Sequence, residues 1–133
     1  MELSVRPYEE KRDYQFFVNW CEDNGIVPRH ESQLPPLGFV AEYNGDPSAM
    51  LFAYQALDCG VAFIECFICK GELAATQKRS AGEGLYHVIV RTLRGMGYGM
   101  IRSAIVDKRM ANIAKKKLGY VETGTATLLE NLI

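Results

Sequence analysis

Residues 77–90 read QKRSAGEGLYHVIV, and they set Arg79, Gly82 and Gly84 directly ahead of an apolar run with helical period. Glycine costs a helix interior roughly 0.5–1 kcal/mol relative to alanine, so two at a helix entry imply a backbone that must come close to something. Leu85, Ile89 and Leu93 share one side of the helix that follows, which is expected to run to about Arg94 and to stop in Gly95-Met96-Gly97-Tyr98-Gly99. Upstream, Val61 to Cys69 is an apolar, strand-like run. The stretch therefore turns a strand into a helix, and the architecture grows outward from that junction.

Before it, Gly38–Tyr43 and Ser48–Tyr54 flank Asn44-Gly45-Asp46-Pro47, whose Asn-Gly predicts a hairpin. Asp58-Cys59-Gly60 turns the chain into the run at 61–69, which makes three consecutive antiparallel strands. Leu3 and Val5 alternate as in a short strand closed by Pro7, and Tyr14, Phe17, Val18 and Cys21 form the apolar stripe of a helix from Glu9 to Asn24. Residues 26–37 carry three prolines without a sustained period, so they are expected to be loop with at most a short helical turn. Beyond the glycines, Met100 to Asp107 reads as a strand. Met110, Ala114 and Leu118 then mark a short helix ending at Gly119, and strand-like residues follow from Tyr120, with a break allowed at Gly124. The order is β-α-β-β-β-α-β-α-β, an α/β (α+β) fold.

At 133 residues and 48% hydrophobic content, the chain suits a single domain over 1–133. A net charge of -1 leaves no basic footprint for nucleic acid or an anionic membrane. The N-terminal residues lack the pattern of a secretory signal, and no apolar run approaches spanning length, so a cytoplasmic protein is expected. Of Cys21, Cys59, Cys66 and Cys69, the last two form a C-x-x-C pair. On a strand, residues three apart point to opposite faces and cannot grip one ion, so reduced, packed thiols and no metal are expected.

Two phosphate loops fail on spacing. A Walker loop needs Ser/Thr directly after its lysine, where Lys78 is followed by Arg79; a dinucleotide fingerprint needs a third glycine, where this chain has His87. What remains is R-x-x-G-x-G opening a helix after a strand. Backbone N–H groups in such a turn converge on an anion and the helix dipole favours it, a geometry that suits a pyrophosphate.

That motif, the element order and the ending Ala111-x-x-x-Lys115-Lys116-Lys117-Leu118-Gly119-Tyr120 resemble the GNAT superfamily of acyl-coenzyme A dependent N-acyltransferases. The resemblance implies a mixed central sheet of about six to seven strands flanked by helices. It implies acetyl-CoA as co-substrate, with Arg79, Ser80, Ala81, Gly82, Glu83 and Gly84 presenting backbone donors to its pyrophosphate. It further implies that Phe67, Ile68 and Cys69 of the preceding strand bind the pantetheine arm and supply an oxyanion donor. Lys70 to Lys78 is longer than the family's usual connection, and Lys115 stands where the family carries a thiol-protonating tyrosine. Tyr86, Tyr98 or water are the substitutes for that tyrosine.

Acyl transfer to an amine also needs a proton acceptor. Glu65, read as sharing a strand face with Val61, Phe63 and Phe67, is the candidate base, since apolar surroundings raise a carboxyl pKa; a salt bridge at a strand edge is the alternative. His87 falls on a polar helix face with Glu83, Arg91 and Arg94, and Lys115 on a basic one. His30 and Glu31 lie in the proline-bearing loop that in this family borders the acceptor. The reading is an N-acetyltransferase acting on an unidentified amine, with a homodimer allowed; a GNAT-fold protein retained for binding or structure is the alternative.

Overall fold

A computed structural model describes residues 2–131 and 133. The chain divides into two compact units, Met1–Ser103 and Ala104–Ile133. The first holds β1 (Leu3–Pro7), α1 (Glu10–Asp23), a 3-10 turn (Glu31–Gln33), β2 (Gly38–Tyr43), β3 (Asp46–Gln55), β4 (Val61–Cys69), α2 (Ala75–Gly95) and β5 (Met100–Arg102). These strands form one sheet in the order β1-β2-β3-β4-β5, antiparallel from β1 to β4 and parallel between β4 and β5.

The β2–β3 hairpin closes through Asn44 and Gly45 with φ of 53° and 80°, the paired positive values that a two-residue turn of type I′ demands. β3 starts two residues earlier than its apolar run because Pro47, which has no N–H to donate, is tolerated where Ser48 forms a bulge against Ala41 and Glu42. Strand alternation then sorts the core. Ala49, Leu51, Ala53, Ala62 and Ile64 meet Ala81, Leu85, Ile89 and Leu93 of α2 on one face. Met50, Phe52 and Ile68 meet Phe17, Trp20 and Cys21 of α1 on the other.

Gly38 shows how tight the second layer is. A methyl group there would lie 2.7 Å from Cε1 of Phe52, itself fully buried and packed edge-on against Tyr8 and Phe17. Gly38→Ala is therefore expected to destabilise by about 1–3 kcal/mol, the scale of overpacking. A lower urea midpoint with an unchanged slope would register it; an unaltered midpoint would show that Phe52 gives way freely.

Asp13, on the sheet side of α1, is a fully buried carboxylate. Both its oxygens accept from Arg6 of β1 at 2.8 Å, and one also accepts the Glu9 N–H at 2.9 Å, serving the entry of α1. Arg6 Nε donates to Glu42 of β2 at 3.0 Å. This network ties the first helix to the first two strands.

The second unit contains α3 (Lys108–Lys117), capped by Asp107, whose side chain accepts from the N–H groups of Arg109 and Met110 at 2.8 and 3.1 Å. Two expectations change here. β5 stops at Arg102, where its pairing with β4 ends, rather than reaching Asp107, which caps α3. No strand follows Gly119 among the described residues, so the sheet has five strands rather than six or seven. A β-favouring sequence supplies only half of a ladder, and residues 121–131 are exposed.

Candidate active site

β4 contains a feature that local pattern did not announce. Its register against β3 runs Phe52↔Glu65 and then Met50↔Ile68, so β4 carries one extra residue, and Cys66 has φ of 61°, left-handed for a non-glycine. Before the bulge, Ala62 and Ile64 face α2; after it, Phe67 and Cys69 do, while Cys66 and Ile68 face α1. Glu65 and Cys66 thus open in succession onto the α1 face. The expected face of Val61, Phe63, Glu65 and Phe67 is corrected accordingly: Phe67 lies on the other side of the sheet.

Glu65 has other company. Its carboxylate is 4.0 Å from the guanidinium of Arg29, and both side chains are about one-third exposed. An arginine replaces the apolar enclosure expected for a base. The Cys66 thiol interacts with the Arg29 guanidinium and the Tyr54 hydroxyl. Burial pushes the Cys66 thiol up, against the opposing pull of Arg29, and burial with Cys66 close by pushes Tyr54 to about 12. Both groups are neutral near pH 7, and the Tyr54 hydroxyl donates to the Gln33 carbonyl at 3.0 Å. Tyr14 of α1 likewise donates to the Arg29 carbonyl at 2.8 Å, so two tyrosines pin the proline-bearing loop beside the bulge.

The outer edge of β4 is also unusual. β5 pairs only with Val61–Phe63, after which Ser103 Oγ donates to the Ile64 carbonyl at 3.1 Å. Lys70 donates its N–H to Ser48, so antiparallel alternation turns Ile68 toward β3 and turns the N–H groups of Phe67 and Cys69 outward. The Cys69 carbonyl accepts from the Asn24 side chain at 3.1 Å. No ladder partner follows β4 past Ile64 on that edge among the described residues.

The glycine motif is placed differently from expectation. Arg79, Ser80, Ala81, Gly82, Glu83 and Gly84 all lie inside α2, which starts at Ala75 with the Ala74 N–H received by the Gln77 side chain at 2.9 Å. Their backbone N–H groups are used by the helix, so they form no entry loop. First-turn N–H groups, those of Ala75 and Thr76 among them, have no acceptor within the helix. The long Lys70–Lys78 connection is accounted for in part by this earlier turn of helix.

Gly82 instead lets α2 sit close to the sheet. A methyl on Gly82 would meet the Phe67 ring at 3.2 Å, and one on Gly84 would meet Leu3 and Val5 at 3.5 and 3.7 Å, ordinary contact distances. Gly84→Ala is therefore expected to stabilise the protein by about 0.5–1 kcal/mol and to leave coenzyme A affinity unchanged. Thermal melts and calorimetry on the variant check both, and weakened binding would return the phosphate site to residues 79–84.

Other candidates are occupied locally. The Tyr98 hydroxyl donates to the Ala56 carbonyl at 2.8 Å. His30 Nδ1 accepts the Ser32 N–H at 3.2 Å within the 3-10 turn, and Lys115 donates to Glu122 at 3.3 Å in the second unit. His87 is exposed on α2.

The mixed sheet with helices on both faces superposes on solved acetyltransferases. An aminoglycoside acetyltransferase from an uncultured soil metagenomic sample superposes with a TM-score of 0.72 at 15% identity over 98% of this chain and 97% of that one. The chain has the GNAT fold. Glucosamine-6-phosphate N-acetyltransferase from Arabidopsis thaliana matches the fold over 98% of this chain and 99% of its own, with a TM-score of 0.70 and 12% identity. N-acetylglutamate synthase from Neisseria gonorrhoeae, solved with coenzyme A and N-acetyl-glutamate, matches over 86% of this chain with a TM-score of 0.65 and 13% identity; the chain spans 28% of that enzyme's length. No family model and no curated protein matches the sequence. Arg29, Tyr54 and Cys66 were absent from the sequence-based site. The parity of Tyr54 with Phe52 was the one available sign, and nothing local marks the bulge.

Proposed function

We propose that this GNAT-fold chain is an acyl-coenzyme A dependent N-acetyltransferase acting on a small amine. The observation that carries the reading is the bulge at Cys66 next to a β4 edge left without a ladder partner, because strained non-glycine backbone in a strand concentrates where a site needs a particular geometry. Outward peptide groups at Phe67 and Cys69 suit the amide-bearing pantetheine arm, and first-turn N–H groups of Ala75 and Thr76, with the dipole of α2, suit its phosphates. Acetyl-CoA supplies an acyl group activated as a thioester.

In this reading a β4 N–H beside the bulge stabilises charge on the carbonyl oxygen. Glu65 takes the proton from the amine, and transfer is direct because the Cys66 thiol is neutral. The departing thiolate takes its proton from solvent, with Tyr98 and Lys115 engaged elsewhere. A second reading, a GNAT-fold protein without turnover, is favoured by one feature: helix occupies residues 79–84, where the motif called for a loop. Calorimetry with acetyl-CoA, followed by thiol release over an amine panel, separates the two. Binding with turnover supports the enzyme, binding without turnover supports the second reading, and no binding removes the coenzyme from both.

A further inference from the structure

Tyr8, just past β1, carries a hydroxyl that the fold leaves without use. Its oxygen is shut off from solvent and has no hydrogen-bond partner among the described residues. Tyr14 and Tyr54, by contrast, each donate their hydroxyl to a carbonyl of the proline-bearing loop. A buried hydroxyl left unpaired costs about 1–3 kcal/mol, and phenylalanine would fill the same place without that cost. Register puts Tyr8 in line with the candidate base. Its N–H donates to the Gly38 carbonyl at 2.8 Å, Gly38 stands opposite Phe52, and Phe52 stands opposite Glu65. The Phe52 ring leans over Gly38 and meets the Tyr8 ring edge-on at 4.8 Å, on the α1 face of the sheet. The row therefore has a carboxylate at one end and the unused hydroxyl at the other.

We propose that Tyr8 is a specificity-determining residue of the acceptor site, its hydroxyl donating to a neutral oxygen, hydroxyl or carbonyl, that the acceptor amine carries away from its nitrogen. The surroundings set that chemistry. Asp13 is balanced by Arg6, but Glu10 and Glu31 also act on Tyr8 and keep this end of the row negative, so a carboxylate or phosphate would be repelled. Burial, with those charges behind it, pushes the phenol up to about 12, and it remains a donor near pH 7. A second ammonium would have to shed its water at a closed position, which costs far more than burying a neutral oxygen. The residue as a whole is only half-buried, so a turn of a neighbouring side chain opens the hydroxyl to a ligand without a change of fold. The substrate class rests on the acetyltransferase reading; the ligand contact of Tyr8 does not.

The test compares ω-amino alcohols and ω-amino amides with n-alkylamines matched in length, as acceptors for the full chain with acetyl-CoA. The oxygen-bearing amines should exceed the alkylamines in kcat/KM by about fivefold to tenfold, the scale of one neutral hydrogen bond. Tyr8→Phe should bring that ratio to within about twofold, through KM, while the ligand-free variant melts no lower than the wild type. Equal use of the two series by the wild type, or a ratio that survives in folded Tyr8→Phe, overturns the proposal. So does a lowered melting temperature of the ligand-free variant, which would show the hydroxyl already held by water or protein. A chemical-shift titration with the same compounds reads binding without turnover: a Tyr8-dependent preference for the oxygen-bearing amines upholds the proposal, and equal binding by wild type and variant, or none, overturns it. Absence of acetyl-CoA binding in calorimetry sinks the acetyltransferase reading instead, and the titration still decides for Tyr8.

Discussion

Asp13→Ala is expected to destabilise the protein by about 3–5 kcal/mol, the cost of breaking a buried ion pair from one side. The change strips Arg6 of the partner that holds its guanidinium between β1 and α1 and leaves the Glu9 N–H without its acceptor. Glu42 retains one bond to Arg6, which keeps the loss from being larger. Burial alone would push the Asp13 carboxyl up, but Arg6 and the Glu9 N–H outweigh it and hold the group below its ordinary value. A depressed acid contributes stability that is whole above the unfolded value of about 3.9 and drains away as pH falls through the lower folded value. Urea unfolding from pH 7 to pH 3 should therefore show wild type and variant separated at neutral pH and converging below about pH 4. A constant gap across that range would mean that the loss is one of packing and not of charge.

Glu65→Gln is expected to lower kcat by about 10²-fold or more, the scale of general-base assistance, while the KM for acetyl-CoA stays unchanged. The amide keeps the size of the side chain and its contact with the loop but cannot accept the proton. Because the carboxylate is about one-third exposed and its approach to Arg29 is no closer than 4.0 Å, little stability should be lost. Turnover and melting temperature therefore diverge if Glu65 is the base. Full activity in a folded variant would strike it from the mechanism and leave the bulge with a purely structural role.

The elements that could be read from residues alone are those whose instructions are local. α1 and α2 ended within a residue or two of expectation because Asn24-Gly25 and Gly95-Met96-Gly97 stop a helix by backbone chemistry, and the hairpin fell at Asn44-Gly45 because both positions take positive φ. The short turn at Glu31–Gln33 and the helix ending before Gly119 belong to the same class. What tertiary structure decided depended on partners distant in the chain. Gly82 did signal close approach, but Phe67 decided that the sheet is what α2 approaches there, while Gly84 leaves room for a methyl group beside Leu3 and Val5. Nothing in the sequence around Asp13 marks it, and its role comes from Arg6 on β1. The bulge at Cys66 exists only as a mismatch between β3 and β4, and a mismatch between strands belongs to neither sequence segment by itself. From that one extra residue follow the side taken by Phe67 and the place where the chemistry is proposed to occur.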